Sequence, residues 1–128
     1  MADGDQADDK TIPDEAVIWR RVAPDQAKPT DEGLIPTPSA FRDSSDSPMS
    51  AILAADSTTE RALGECPDNG VVGITAGELR ALGQRLIRDP VDGEPAHLLV
   101  AGPKPRGGFQ KRVSKAATWV VYPEGHRD

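Results

Sequence analysis

From Ala16 to Val22 the chain sets β-branched and aromatic side chains (Val17, Ile18, Trp19, Val22) among basic ones, a pattern that favours an extended strand. Trp19 and Arg21 share one face of that strand and Ile18 and Arg20 the other, so one arginine must point inward or into a cleft. Pro24 ends it. Between Pro24 and Pro48 only Leu34-Ile35 and Phe41 interrupt a run of prolines and turn residues. This predicts a long loop, and a structureless connection of that length tends to be functional or disordered.

Met49 to Ala54 reads as a short apolar strand, and Ser57-Thr58-Thr59-Glu60 fits a capping box opening a helix from Thr58 to about Leu63. Gly64 and Pro67 stop that helix. Val71 to Ile74 is a further apolar strand, followed by a second capping box, Thr75-Ala76-Gly77-Glu78. Leu79, Leu82 and Leu86 then recur at helical spacing, and Gly83 admits two readings. It either closes the helix and frees Arg85 to Arg88 to form a strand, or sits inside a longer helix at about 1 kcal/mol. The first is preferred, because Asp89-Pro90 and Val91-Asp92-Gly93-Glu94 supply a turn before the apolar run Ala96 to Ala101. Phe109 to Ala117 is an amphipathic helix with Phe109, Val113, Ala116 and Ala117 on one face and Lys111, Arg112 and Lys115 opposite. Thr118 to Tyr122 reads as a final strand or an extended tail.

These elements predict a single small α+β domain: four to six short strands in a mainly antiparallel or mixed sheet, with two or three helices. A chain of 128 residues suffices for one core, and with only five aromatic rings that core must be built from Val, Ile, Leu and Ala. Residues 1–14 lack apolar periodicity and are expected to form a disordered acidic tail, with the domain spanning 15–123 and a frayed end at 124–128.

Charge divides by position. The first fifteen residues hold six acids against Lys10, which accounts for −5 of the net −6. From Pro95 to Pro123 there are five cations (Lys104, Arg106, Lys111, Arg112, Lys115) and no carboxylate. These five form the expected docking surface for an acidic protein partner, in an accessory or adaptor protein with the 24–48 loop as a second contact. A lone Cys66 between acids and the lack of a long apolar run point to the cytoplasm and to an inert thiol, and the Ala, Arg, Asp, Gly and Pro bias suggests a bacterial genome of high GC content. No membrane contact is expected.

Other chemistry is weighed on fewer residues. Gly102-Pro103-Lys104-Pro105-Arg106-Gly107-Gly108 precedes a helix and offers a phosphate two cations, but the spacing is not that of a P-loop and two prolines remove amide donors. Nucleic acid is a further candidate partner, disfavoured by the net negative charge. A hairpin brings Asp89 near His97, an arrangement that orients an imidazole, yet no motif supplies a nucleophile. Two histidines and one cysteine make no metal-binding spacing, and no cofactor is expected.

The order of a strand arginine, a loop serine and a later glutamate between Ala16 and Leu63 is vaguely similar to ADP-ribosyltransferase-like and RES-type NAD-consuming domains. That resemblance implies Arg20 or Arg21 on the NAD phosphates, Ser50 at the nicotinamide side and Glu60 on the ribose; with His97 these are the catalytic candidates of the alternative reading. The pattern Trp19-Arg20-Arg21, Ser39-Ala40-Phe41-Arg42-Asp43, Met49-Ser50, Arg88-Asp89-Pro90, Pro95-Ala96-His97 and Trp119-Val120 resembles a family of small bacterial proteins. It implies one compact domain and no particular chemistry.

Overall fold

The alternation around Trp19 is carried into three dimensions: in β1 (Val17–Val22) Ile18 and Val22 are buried while Val17 and Arg21 face outward. The structure is a computed structural model describing residues 7–105 and 108–126. With β4 (Met49–Leu53), β5 (Gly70–Thr75), β6 (Arg85–Arg88), β7 (His97–Ala101) and β8 (Thr118–Val121), β1 forms a six-stranded antiparallel sheet of order β6-β7-β4-β1-β5-β8. A separate hairpin pairs β2 (Ala27–Thr30) with β3 (Gly33–Pro36). The helices described are α1 (Thr59–Leu63), α2 (Ala76–Ala81) and α3 (Gly108–Ala116), which makes the fold the single α+β domain expected.

One sheet face carries the main core. Ile18, Ala51, Val72, Leu86, Leu98 and Val100 pack there with Leu79 of α2, Phe109 and Val113 of α3, and Phe41. Local signals explain the helices. Thr75 Oγ1 accepts from the Glu78 amide while the Glu78 carboxylate accepts from Thr75 N, satisfying donors that the first turn of α2 leaves open. Gly83, at φ +84°, takes a left-handed conformation that L side chains resist, and so closes α2 and releases Arg85–Arg88 to form β6. At α1 the cap is Thr58, whose hydroxyl accepts from Arg61 N; Ser57 instead donates to Glu94 Oε2.

Two expectations are corrected. The segment before Glu15 is not a mobile tail from Asp8 onward: Ile12 is 1% exposed in the core, and Asp9 N donates to Leu86 O at 2.8 Å. The Asp8 carboxylate accepts from Leu86 N at 2.8 Å, so this segment covers the outer edge of β6. Its acids meet Arg80 and Arg88, partners more than sixty residues away, and one isoleucine anchors them. Residues 1–6 lie outside the described part.

Nor is 24–48 structureless. Pro24 and Pro38 open 3-10 turns, where a missing amide costs nothing, and Pro29 and Pro36 sit in a two-stranded hairpin, which tolerates proline as a central strand does not. At the carboxyl end Pro123 is buried and Glu124 N donates to Asp68 O at 2.9 Å, so the chain stays attached to the domain past Pro123. Residues 127–128 are not described.

Candidate functional site

Helix α3 exposes the cations that its amphipathic pattern assigns to its outer face. Phe109 and Val113 are buried, Lys111, Arg112 and Lys115 are exposed, and none of these three cations has a carboxylate partner among the described residues. The β2–β3 hairpin lies alongside. Ser114 Oγ donates to Pro36 O, and Trp119 Nε1 donates to Leu34 O at 2.8 Å, so polar groups of α3 and β8 satisfy carbonyls of β3. Between them runs a groove of about 290 Å³ lined by Ile35, Pro38, Lys111, Arg112, Ser114 and Lys115. Its floor is apolar and its rim cationic.

Of the remaining two cations expected in this surface, Lys104 does not join it. Lys104 has a side chain only 5% exposed, with Nζ 2.8 Å from Asp43 Oδ1. The same ammonium donates to Val100 O at 2.7 Å and Gly102 O at 3.4 Å and stands 5.5 Å from the Phe109 ring centre. All three of its protons are thus occupied internally, and Lys104 ties the approach to α3 onto β7 and the loop that carries Asp43. Its position in a basic stretch concealed that role. Arg106 lies outside the described residues.

A second site gathers on the sheet face opposite the main core. Strand register places Trp19 beside Ile52 and Ile52 beside His97, a row across β1, β4 and β7, with Arg21 and Ser50 two residues further along on the same face. Gly73, paired with Trp19, makes room for Val17: a Cβ there would lie 2.9 Å from Val17 Cγ1, whereas Trp19 Cδ1 at 3.7 Å would be in ordinary contact. Helix α1 contributes Arg61 and Ala62, and the β6–β7 connection contributes Val91 and Glu94. Together these enclose about 210 Å³.

Hydrogen bonds fix most of the lining. Glu94, 8% exposed, accepts from Ser57 Oγ at 2.6 Å and Ala96 N at 3.1 Å, with Arg61 Nε at 3.8 Å from its Oε2. His97 Nδ1 is 2.9 Å from the Asp89 carbonyl and 3.2 Å from the Asp89 carboxylate. Both neighbours are acceptors, so Nδ1 carries a proton and Nε2 is the polar atom left for the cavity. Arg21 Nη1 donates to Leu63 O at 3.2 Å, which steers it toward α1.

Arg20 takes the other face and acts as scaffold. Its Nε donates to Ala40 O at 2.9 Å and its Nη1 to Ser50 O at 2.7 Å, bridging β4 and the turn before Phe41. Burial and then the nearby Arg21 charge push its guanidinium below the ordinary value, with Asp43 opposing them.

The chain matches no family model, no curated protein and no solved structure.

Of the four catalytic candidates, the fold brings Arg21, Ser50 and His97 to one cavity and leaves Glu60 out. Glu60 is exposed on α1, and its neighbour Arg61, also exposed, is the one that borders the cavity. The buried acid is Glu94, hidden in what the sequence presents as turn chemistry. Its only local signal is the two-residue reach to the Ala96 amide. Cys66 is exposed and unpaired, and among the described residues no group of His, Cys, Asp and Glu is placed to hold a metal ion. No helix in the described part is long and apolar enough to cross a membrane.

Proposed function

We propose that this protein is a small cytoplasmic adaptor that docks an acidic, apolar-bearing segment of a protein partner along α3. The observation carrying this reading is the α3 groove, where three cations without carboxylate partners among the described residues flank an apolar floor of Ile35 and Pro38. Such a rim attracts carboxylates over a distance set by ionic strength, and the floor supplies apolar area for one or two side chains. Among the described residues the surface consists of Lys111, Arg112 and Lys115, with Lys104 serving the scaffold. An exposed single thiol suits a reducing compartment. The overall charge of −6 works against a nucleic-acid partner.

A fluorescein-labelled peptide of alternating glutamate and leucine tests the reading by anisotropy. Saturable binding is expected, weakened at least tenfold by Lys111→Glu with Lys115→Glu, and weakened again when salt rises from about 50 to about 500 mM. Binding indifferent to both changes overturns the docking role.

The NAD-consuming alternative is less well supported. It loses Glu60 from its set, and a cavity of about 210 Å³ is smaller than the roughly 300–1,000 Å³ of sites for drug-sized ligands. A phosphate site at the 102–108 loop is likewise weakened, because Lys104 already meets Asp43 and two carbonyls.

A further inference from the structure

The sheet face opposite the core carries a second cavity, lined by other residues than the α3 groove. We infer that the cavity between β1, β4, β7 and α1 binds a small phosphate monoester carrying one ring, with Arg21, Arg61 and His97 holding the phosphate and Trp19 the ring.

Arg21 and Arg61 both keep unused donors. A guanidinium has five N–H groups in a planar fork. Arg21 gives one to Leu63 O, while Arg61 gives one to Asp56 O and holds Glu94 only at 3.8 Å. Both side chains line the cavity, so each keeps several donors available to a ligand. The one carboxylate in the lining, Glu94, already accepts from Ser57 and the Ala96 amide and lies beside Arg61. It therefore leaves the cavity without an unpartnered negative charge to repel an anion.

The histidine adds a third contact. With Nδ1 committed to Asp89, Nε2 donates to a phosphate oxygen when the ring is protonated and accepts from the hydroxyl of a phosphate monoanion when it is neutral. A carboxylate has two oxygens on one side and no hydroxyl when ionised; a phosphate monoester offers three terminal oxygens, enough for two forks and an imidazole. That stoichiometry selects phosphate.

The rest of the lining sets the partner group. Trp19, Ile52, Ala62 and Val91 line the cavity with apolar surface next to the cations. At about 210 Å³ the cavity is below the roughly 300–1,000 Å³ of sites for drug-sized ligands. This suits a phosphate and a single ring better than a whole dinucleotide.

Calorimetric titration with phenyl phosphate, inorganic phosphate and benzoate, followed by 1H–15N spectra, tests the assignment. Phenyl phosphate is expected to bind at least tenfold more tightly than either other probe and to shift the side-chain signals of Arg21, Arg61, His97 and Trp19. Arg21→Gln is expected to weaken it at least tenfold. Because Arg61 also holds Asp56 O, Arg61→Lys serves as a milder second variant, with a weakening of threefold or more. Lys111→Glu should change nothing, which separates this site from the docking groove. Absence of saturable binding, equal affinity for benzoate, indifference to Arg21→Gln, or shifts confined to α3 each overturn the proposal.

Discussion

Two concentrations of charge, one at each end of the chain, resolve in opposite ways. In the amino-terminal clasp Arg80 meets Asp8 at 3.0 Å and Asp14 at 2.7 Å, and Arg88 meets Asp9 at 2.7 Å. On α3, Lys111, Arg112 and Lys115 meet no carboxylate among the described residues and border an apolar groove. The first cluster directs its donors inward and closes a sheet edge; the second leaves its donors to solvent or to a partner. Density of charge in a sequence therefore does not distinguish scaffold from surface. Pairing does.

The largest effect expected of breaking this contrast is at the anchor of the clasp. Ile12→Ala removes a fully buried side chain and should destabilise the fold by about 3 kcal/mol in urea unfolding. A midpoint like that of the parent would mean that residues 8–14 behave as a tail after all. Next comes Lys104, which lies in the basic stretch but behaves like the clasp. Lys104→Met removes a charge-assisted set of bonds to Asp43 and Val100 O and should cost about 2 kcal/mol. A neutral outcome would return Lys104 to the docking surface.

A smaller effect is tied to pH. Asp9 is held below the usual carboxylate range first by the Thr11 hydroxyl, then by the Thr11 amide, with Arg88 adding to both against a burial penalty. Its folded value is depressed, so its contribution is complete above the unfolded value near pH 4 and disappears as pH falls through the folded value. The carboxylate is close to solvent, so the stability difference between the parent and Asp9→Asn should stay under about 1 kcal/mol at pH 7 and vanish near pH 2. A constant difference over that range would show that the Thr11 and Arg88 contacts do not depend on the charge.

The smallest change in stability is expected on α3. Lys111→Glu with Lys115→Glu should shift stability by no more than about 0.5 kcal/mol while weakening peptide docking at least tenfold, the reverse of the Lys104 result.

The candidate sites were legible to different degrees. The α3 face was readable because helical periodicity places Lys111, Arg112 and Lys115 opposite Phe109 and Val113 within nine residues. The cavity was half readable. Alternation set Trp19 and Arg21 on one face, and the hairpin brought Asp89 to His97, but nothing local indicated that Arg61 rather than Glu60 faces β1. One residue along a helix rotates a side chain by about 100°, and the packing of a five-residue helix sets that rotation.

What the chain alone determined was whatever closes over a few residues: the period of two in β1, the capping box at Thr75, the stop at Gly83 and the two-faced pattern of α3. Each depends on backbone geometry and neighbouring side chains. Tertiary structure decided that Asp8 pairs with Leu86 and Arg80, that Lys104 turns in to Asp43, that prolines 29 and 36 join a hairpin, and that Glu94 is the buried acid. Those outcomes require groups distant in sequence to be brought within hydrogen-bonding range. Only the assembled sheet, by excluding water from their surroundings, makes such contacts strong enough to order the segments that carry them.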